Sequence, residues 1–225
     1  MNVVFGGGLW PLGWSVGYVE ADLSSVAKAF SSWMKELRQR ARVTELDGPL
    51  VDQLATLEPL EAPLTRELLV GTTGAWTAHF SNSIGGGNSW PRVSYLADQL
   101  ETRWIVATHI PPHQYSLPAT QLWLGGPSGD SLGYVRTIAA GVFDEGRWTF
   151  ETSGAIQPWE NPDAYAAPRI QDRFTRELLL RYLHALGIDA DEPSFYGRGL
   201  RFDERSVWRW LRPRRRMSVA EARKD

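Results

Sequence analysis

Gly129-Asp130-Ser131-Leu132-Gly133 carries the most explicit chemical pattern in this chain. It matches G-x-S-x-G, in which a serine is exposed on a strained strand-to-helix turn. A histidine takes the serine proton, and a carboxylate orients that histidine. The flanks of Ser131 do not fit. Tyr134 to Phe143 reads as a strand, so Ser131 falls in a strand-to-strand loop. Glycine, aspartate and serine are also the ordinary turn formers.

The same residues spell Gly-Asp-Ser-Leu, the signature of an esterase and lipase class. In that class the motif lies near the N-terminus, and the base belongs to a late Asp-x-x-His. Here the late histidine, His184, stands three residues after Arg181. Ser131 is therefore not expected to be a nucleophile, and no catalytic residue is assigned.

The other reactive types are sparse. His109 and His113 have H-x-x-x-H spacing, but Pro111 and Pro112 between them forbid the helix that would align both rings on a metal. His79 lies in a strand with Trp76 and Phe80 and reads as a hydrogen-bonded structural residue. His184 sits beside the apolar stripe of a late helix. There is no cysteine, which excludes disulfides, thiolate zinc sites, iron–sulfur clusters and thiol nucleophiles. Glycines cluster at 6–8, 85–87 and 125–129. None leads into Gly-Lys-Ser/Thr and none has G-x-G-x-x-G spacing, so they read as loops. The pairs Asp144–Glu145 and Asp189–Asp191 fall in turns. A metal-independent fold without a cofactor is expected.

The elements that would position these residues are legible in part. Asp22 or Ser24 can cap a helix to Arg40, with Val26, Phe30, Trp33 and Leu37 on one stripe. A short helix is possible over 50–57. Residues 67–70 and 76–80 read as a hairpin. Pro91 opens a helix with Val93, Leu96, Ala97 and Leu100 inward. Strands follow at 103–109, 119–124, 134–143 and 147–151. Thr175 caps a last helix, which ends before Gly187. The class is α+β: a mostly antiparallel sheet of about five to seven strands with helices packed on it, plus a basic C-terminal helix.

The chain has 225 residues, 43% apolar and 22% charged, enough to bury a core without a staple. Met1 to Val19 carries no charge, but Gly6, Gly7, Gly8, Pro11, Gly13 and Gly17 interrupt it and no basic n-region precedes it. The pattern predicts a glycine-rich turn and a strand rather than a leader or a membrane span. Cytoplasmic residence is the default expectation.

Charge is unevenly divided. Residues 1–196 hold 14 basic and 22 acidic side chains, a net of −8, whereas residues 197–217 hold eight arginines against Asp203 and Glu204, a net of +6. This predicts an α+β domain over 1–196 and a basic extension over 197–225. Arg198, Arg201, Arg205, Arg209 and Arg212 have helical spacing. Arg205, Arg209 and Arg212, with Trp208 and Trp210, form the candidate binding face for an acidic surface, on the body or on a partner.

Trp76-Thr77-Ala78-His79-Phe80-Ser81-Asn82, Tyr95-Leu96, Tyr134-Val135-Arg136-Thr137-Ile138, Gly146-Arg147-Trp148-Thr149-Phe150-Glu151, Asp172-Arg173-Phe174-Thr175 and Phe195-Tyr196 resemble a bacterial, mainly actinobacterial-looking, protein family with no established activity. The resemblance covers slightly over half the chain. It implies a shared fold and no site residues.

With 11 tryptophans, strong local charge and no intact catalytic set, the expectation is a non-enzymatic protein-binding protein. Its narrower form is an immunity protein holding a bacterial toxin inactive. The alternatives are a hydrolase whose site is assembled from distant residues, and a structural or nucleic-acid accessory protein acting through the basic tail.

Overall fold

The computed structural model describes residues 4–112, 117–143, 146–204 and 215–224. The glycine-rich start leads into β1 (Ser15–Val19), buried at every position. Asp22 caps α1 (Leu23–Glu36), accepting from the backbone N–H of Ser24 at 2.9 Å and of Ser25 at 3.1 Å. Bonds from the Ser24 and Ser25 hydroxyls, with these N–H groups, hold its carboxyl well below the usual carboxylate range. The helix buries Val26, Phe30 and Met34. It stops short of the expected Arg40, because Arg38 takes a left-handed φ of 54° and turns the chain into β2 (Ala41–Leu46). Leu37, expected inward, is thereby left 50% exposed.

Then come α2 (Leu50–Ala55), β3 (Leu60–Ala62), the hairpin of β4 (Arg66–Thr72) and β5 (Thr77–Ser81), and α3 (Trp90–Gln99). Next are β6 (Trp104–Ile110), β7 (Ala119–Gly125), β8 (Tyr134–Val142) and β9 (Trp148–Ser153). Thr175 caps α4 (Arg176–Ala185), and Gly187 supplies the positive φ, 79°, that ends it. The chain closes with β10 (Tyr196–Glu204), β11 (Arg215–Met217) and α5 (Val219–Ala222).

Among the described residues nine strands form one antiparallel sheet in the order β2-β10-β4-β5-β1-β6-β7-β8-β9, and β11 pairs with β3 separately. The fold is α+β, as expected, with more strands than the five to seven foreseen. Helices cover both faces. On one, α1 and α3 bury Phe30, Val93 and Leu96 against Val19, Leu69, Val106 and Phe202. On the other, α2 and α4 bury Leu54, Leu179 and Leu183 against Val16, Leu68, Ile105 and Ile138. Covering a sheet on both faces erases the apolar–polar alternation of its central strands.

The C-terminal expectation is corrected. Residues 196–204 are strand, not helix, and lie inside the sheet between β2 and β4, so a boundary at 196 falls at the start of a sheet strand. Leu200 and Phe202 alternate with Arg201 and Asp203, a period of two that favours strand. Gly197 and Gly199 weaken a helix further. Phe202 packs edge-on against Phe30 at 4.7 Å between ring centres, contact that no arginine stripe offers. The four-residue α5 is not a basic helix. Met217 and Val219 beside it are buried, and Arg216 pairs with the buried Glu61 at 2.6 Å. The expected face of Arg205, Arg209, Arg212, Trp208 and Trp210 lies outside the described residues. No described helix is long and apolar enough to cross a membrane.

Candidate functional site

Beneath α3 the sheet carries a polar stripe. Alternation along the strands puts Glu67 of β4, Thr77, His79 and Ser81 of β5, and Ser15 and Gly17 of β1 on the face covered by α1 and α3. Leu69 and Gly17 flank His79 on its two neighbouring strands, and Glu67 sits diagonally from it. A Cβ on Gly17 would lie 2.5 Å from Val93 Cγ1 and 2.7 Å from Ser89 Cβ. Glycine there lets the start of α3 descend onto the sheet.

That approach completes a cluster. Ser89 Oγ lies 3.1 Å from His79 Nδ1, and Glu67 Oε2 lies 2.8 Å from His79 Nε2. Arg92 Nε donates to the same Oε2 at 3.2 Å. A carboxylate against Nε2 makes that nitrogen the donor, so in the neutral ring Nδ1 accepts from the Ser89 hydroxyl. Burial pushes the Glu67 carboxyl up, but the bond to His79, the imidazole charge and the Arg92 guanidinium outweigh it, leaving the carboxyl below its ordinary value.

A serine, a histidine and a carboxylate in series have the components of nucleophile activation. Their surroundings withhold access. Ser89 is 3% exposed and His79 2%, so no carbonyl can come within the roughly 3–3.5 Å that attack requires. The cleft that reaches the cluster, beside Thr65, Glu67, Arg92, Phe202 and Glu204, holds about 40 Å³. That is space for water, against the roughly 300–1,000 Å³ of ordinary ligand sites. The sequence reading of His79 as a hydrogen-bonded structural residue agrees with this geometry. It missed Glu67, Ser89 and Arg92, whose only signal was the polar type of Glu67 within a strand.

The remaining candidates are dispersed. Ser131 lies in the β7–β8 connection, where Asp130 accepts from the N–H of Leu132 at 2.9 Å and of Tyr134 at 3.0 Å. The motif is a turn. His109 Nδ1 is 3.0 Å from Thr120 Oγ1, and burial, with the Arg176 charge and against Glu177, pushes its pKa down to about 4. His184 Nδ1 meets Asp189 Oδ1 at 2.5 Å at the surface. His113 and the pair Asp144–Glu145 lie outside the described residues. No metal-ligating group of three His, Asp or Glu occurs among the described residues.

One buried ion pair is complete. Arg136 donates to Glu160 twice, at 2.9 and 2.8 Å, and also to the carbonyl of Gly154 at 2.9 Å. Glu160 further accepts from Tyr165 Oη at 2.7 Å and the Gln157 N–H at 2.8 Å. It fixes the segment after β9 to β8, and all of its groups are used internally. Tryptophans are largely used internally too. Trp14, Trp76 and Trp104 are buried, and Trp90 stacks on Tyr134 at 6.0 Å.

Among the described residues β2 ends the sheet, hydrogen-bonded to β10 on one side only. Between it and the last turns of α1 runs a groove of about 470 Å³, floored by Met34, Ala41 and Phe202 and walled by Val43, Lys35 and Arg40. Val43 is 49% exposed. Neither the protein-family models, nor the curated proteins, nor the solved structures compared with this chain match it.

Proposed function

We propose that this is a non-enzymatic protein-binding protein whose partner engages the β2 edge of the sheet. The observation that carries the reading is the groove beside Val43, which joins an apolar floor, exposed walls and a strand edge unpaired among the described residues. Chains that add to sheet edges use that combination. The cluster of Ser89, His79 and Glu67, in contrast, is enclosed. The narrower version is an immunity protein that holds a bacterial toxin inactive in the cytoplasm. It rests on the same surface and on the uneven charge of the chain.

A photo-crosslinking residue at position 43, and in a parallel chain at the distant exposed position 156, tests the reading in the source organism. A single partner trapped from position 43 and not from 156, with a toxin as its identity in the narrower version, is the expected result. A chain that stays alone and turns over ester or glycoside substrates overturns it in favour of the hydrolase alternative.

A further inference from the structure

Resting on that reading, we infer that the partner presents an extended, acidic strand, which adds to β2 and sets an apolar side chain into the groove beside Val43. Three observations converge on this chemistry. The first is the β2 edge, unpaired on its outer side among the described residues. A terminal strand offers a row of unpaired N–H and C=O groups, and proteins ordinarily blunt such edges or use them. The second is the groove. Val43 pairs with Phe202 in register, so both face the α1 side. A strand laid along β2 would place alternate side chains over that apolar floor.

The third observation is charge. Lys35, Arg38, Arg40 and Arg42 lie within eight residues against the single acid Glu36. All four are exposed, and among the described residues none is in an ion pair. Glu36 itself accepts from Tyr95 Oη at 3.0 Å, on the α3 side. Of these cations Lys35 and Arg40 wall the groove, whereas Arg42, next to Val43 in the strand, falls on the opposite face of the sheet. A second copy of this chain is the competing occupant, because symmetric antiparallel pairing of β2 with itself, centred on Val43 and Thr44, would set Arg42 opposite Glu45; the test below separates the two. Nucleic acid would use the charge but not the edge backbone or the apolar floor.

The test uses the full chain and three short synthetic peptides. One alternates valine with aspartate, one alternates valine with lysine, and one is the acidic peptide with a central proline. Backbone amide exchange and NMR shifts locate binding. The expected result is protection of β2 amides by the acidic peptide alone. Its affinity should fall about tenfold in the Lys35→Glu/Arg40→Glu double variant and weaken as salt rises, since screening acts within about 10 Å at 0.1 M. Both side chains are exposed, so the variant keeps its fold, which the unchanged amide spectrum of the core verifies. Equal binding of the lysine or proline peptide, protection elsewhere, self-association through β2, or no binding of the acidic peptide overturns the proposal. A partner crosslinked from position 43 that carries no acidic strand would sink this inference and leave the binding reading standing. Absence of any crosslinked partner would sink that reading itself.

Discussion

Gly17 lies opposite His79 across the β1–β5 ladder, and its missing side chain admits Ser89 to the imidazole. A methyl group at position 17 would meet Val93 and Ser89 at 2.5 and 2.7 Å. Gly17→Ala should therefore lift the start of α3 and cost about 1–3 kcal/mol, the usual range for overpacking. Urea unfolding measures the loss. The His79 ring resonances should move at the same time, because Ser89 leaves Nδ1. A variant as stable as the parent with an unchanged His79 spectrum would show that α3 does not depend on this contact.

Glu67→Ala leaves His79 Nε2 and Arg92 Nε without their acceptor in a buried place. The expected cost is about 2–3 kcal/mol. Glu67 also gives a pH signature. Its folded pKa lies below its ordinary value of 4.5, so its contribution is present above that value and is lost as pH falls through the lower folded value. Stability of the parent should drop more steeply below pH 4.5 than that of Glu67→Gln. Chemical denaturation across the acid range compares the two.

His109 has linkage of the same sign in a higher pH window. Its folded pKa of about 4 lies below its ordinary 6.5, first through burial and then through Arg176. As pH falls below 6.5 the unfolded chain takes up a proton that the native ring refuses, so stability falls until about pH 4. His109→Asn should flatten that part of the profile. Titration of the His109 ring by NMR checks the depressed value directly.

Arg136 and Glu160 are 3% and 0% exposed at their side chains. Removing either partner leaves a buried charge uncompensated, so Arg136→Met and Glu160→Gln should each cost about 3–5 kcal/mol. The double variant should cost clearly less than the two single losses combined, since it leaves no lone charge. Thermal unfolding of the four chains completes the cycle. Strict additivity would mean that the pair is not coupled.

The hairpin of β4 and β5, the meander of β7 to β9 and the helices capped by Asp22 and Thr175 were legible because their signals are local. Glycine and aspartate mark the turns, and the caps sit next to the helices they start. Ser131 was legible as a turn residue for the same reason. Two strands of the nine-stranded sheet were hidden. In β2, Arg42, Val43, Thr44 and Glu45 show little apolar pattern, because an edge strand with an open side has little to bury. In β10 the arginines at 198 and 201 have helical spacing, and only pairing with β2 and β4 on either side decides for strand.

By itself, then, the sequence determined the α+β class, the cysteine-free chemistry, the antiparallel character of most strands and the turn that holds Ser131. These follow from residue type and short spacing. Tertiary structure alone decided that Glu67, His79, Ser89 and Arg92 meet, since they come from two strands and a helix start and their contact depends on a glycine in a third strand. It alone also decided that Lys35 and Arg40 wall an apolar groove. Sequence shows a run of charge, but whether that run borders an open edge depends on which strand takes the last place in the sheet.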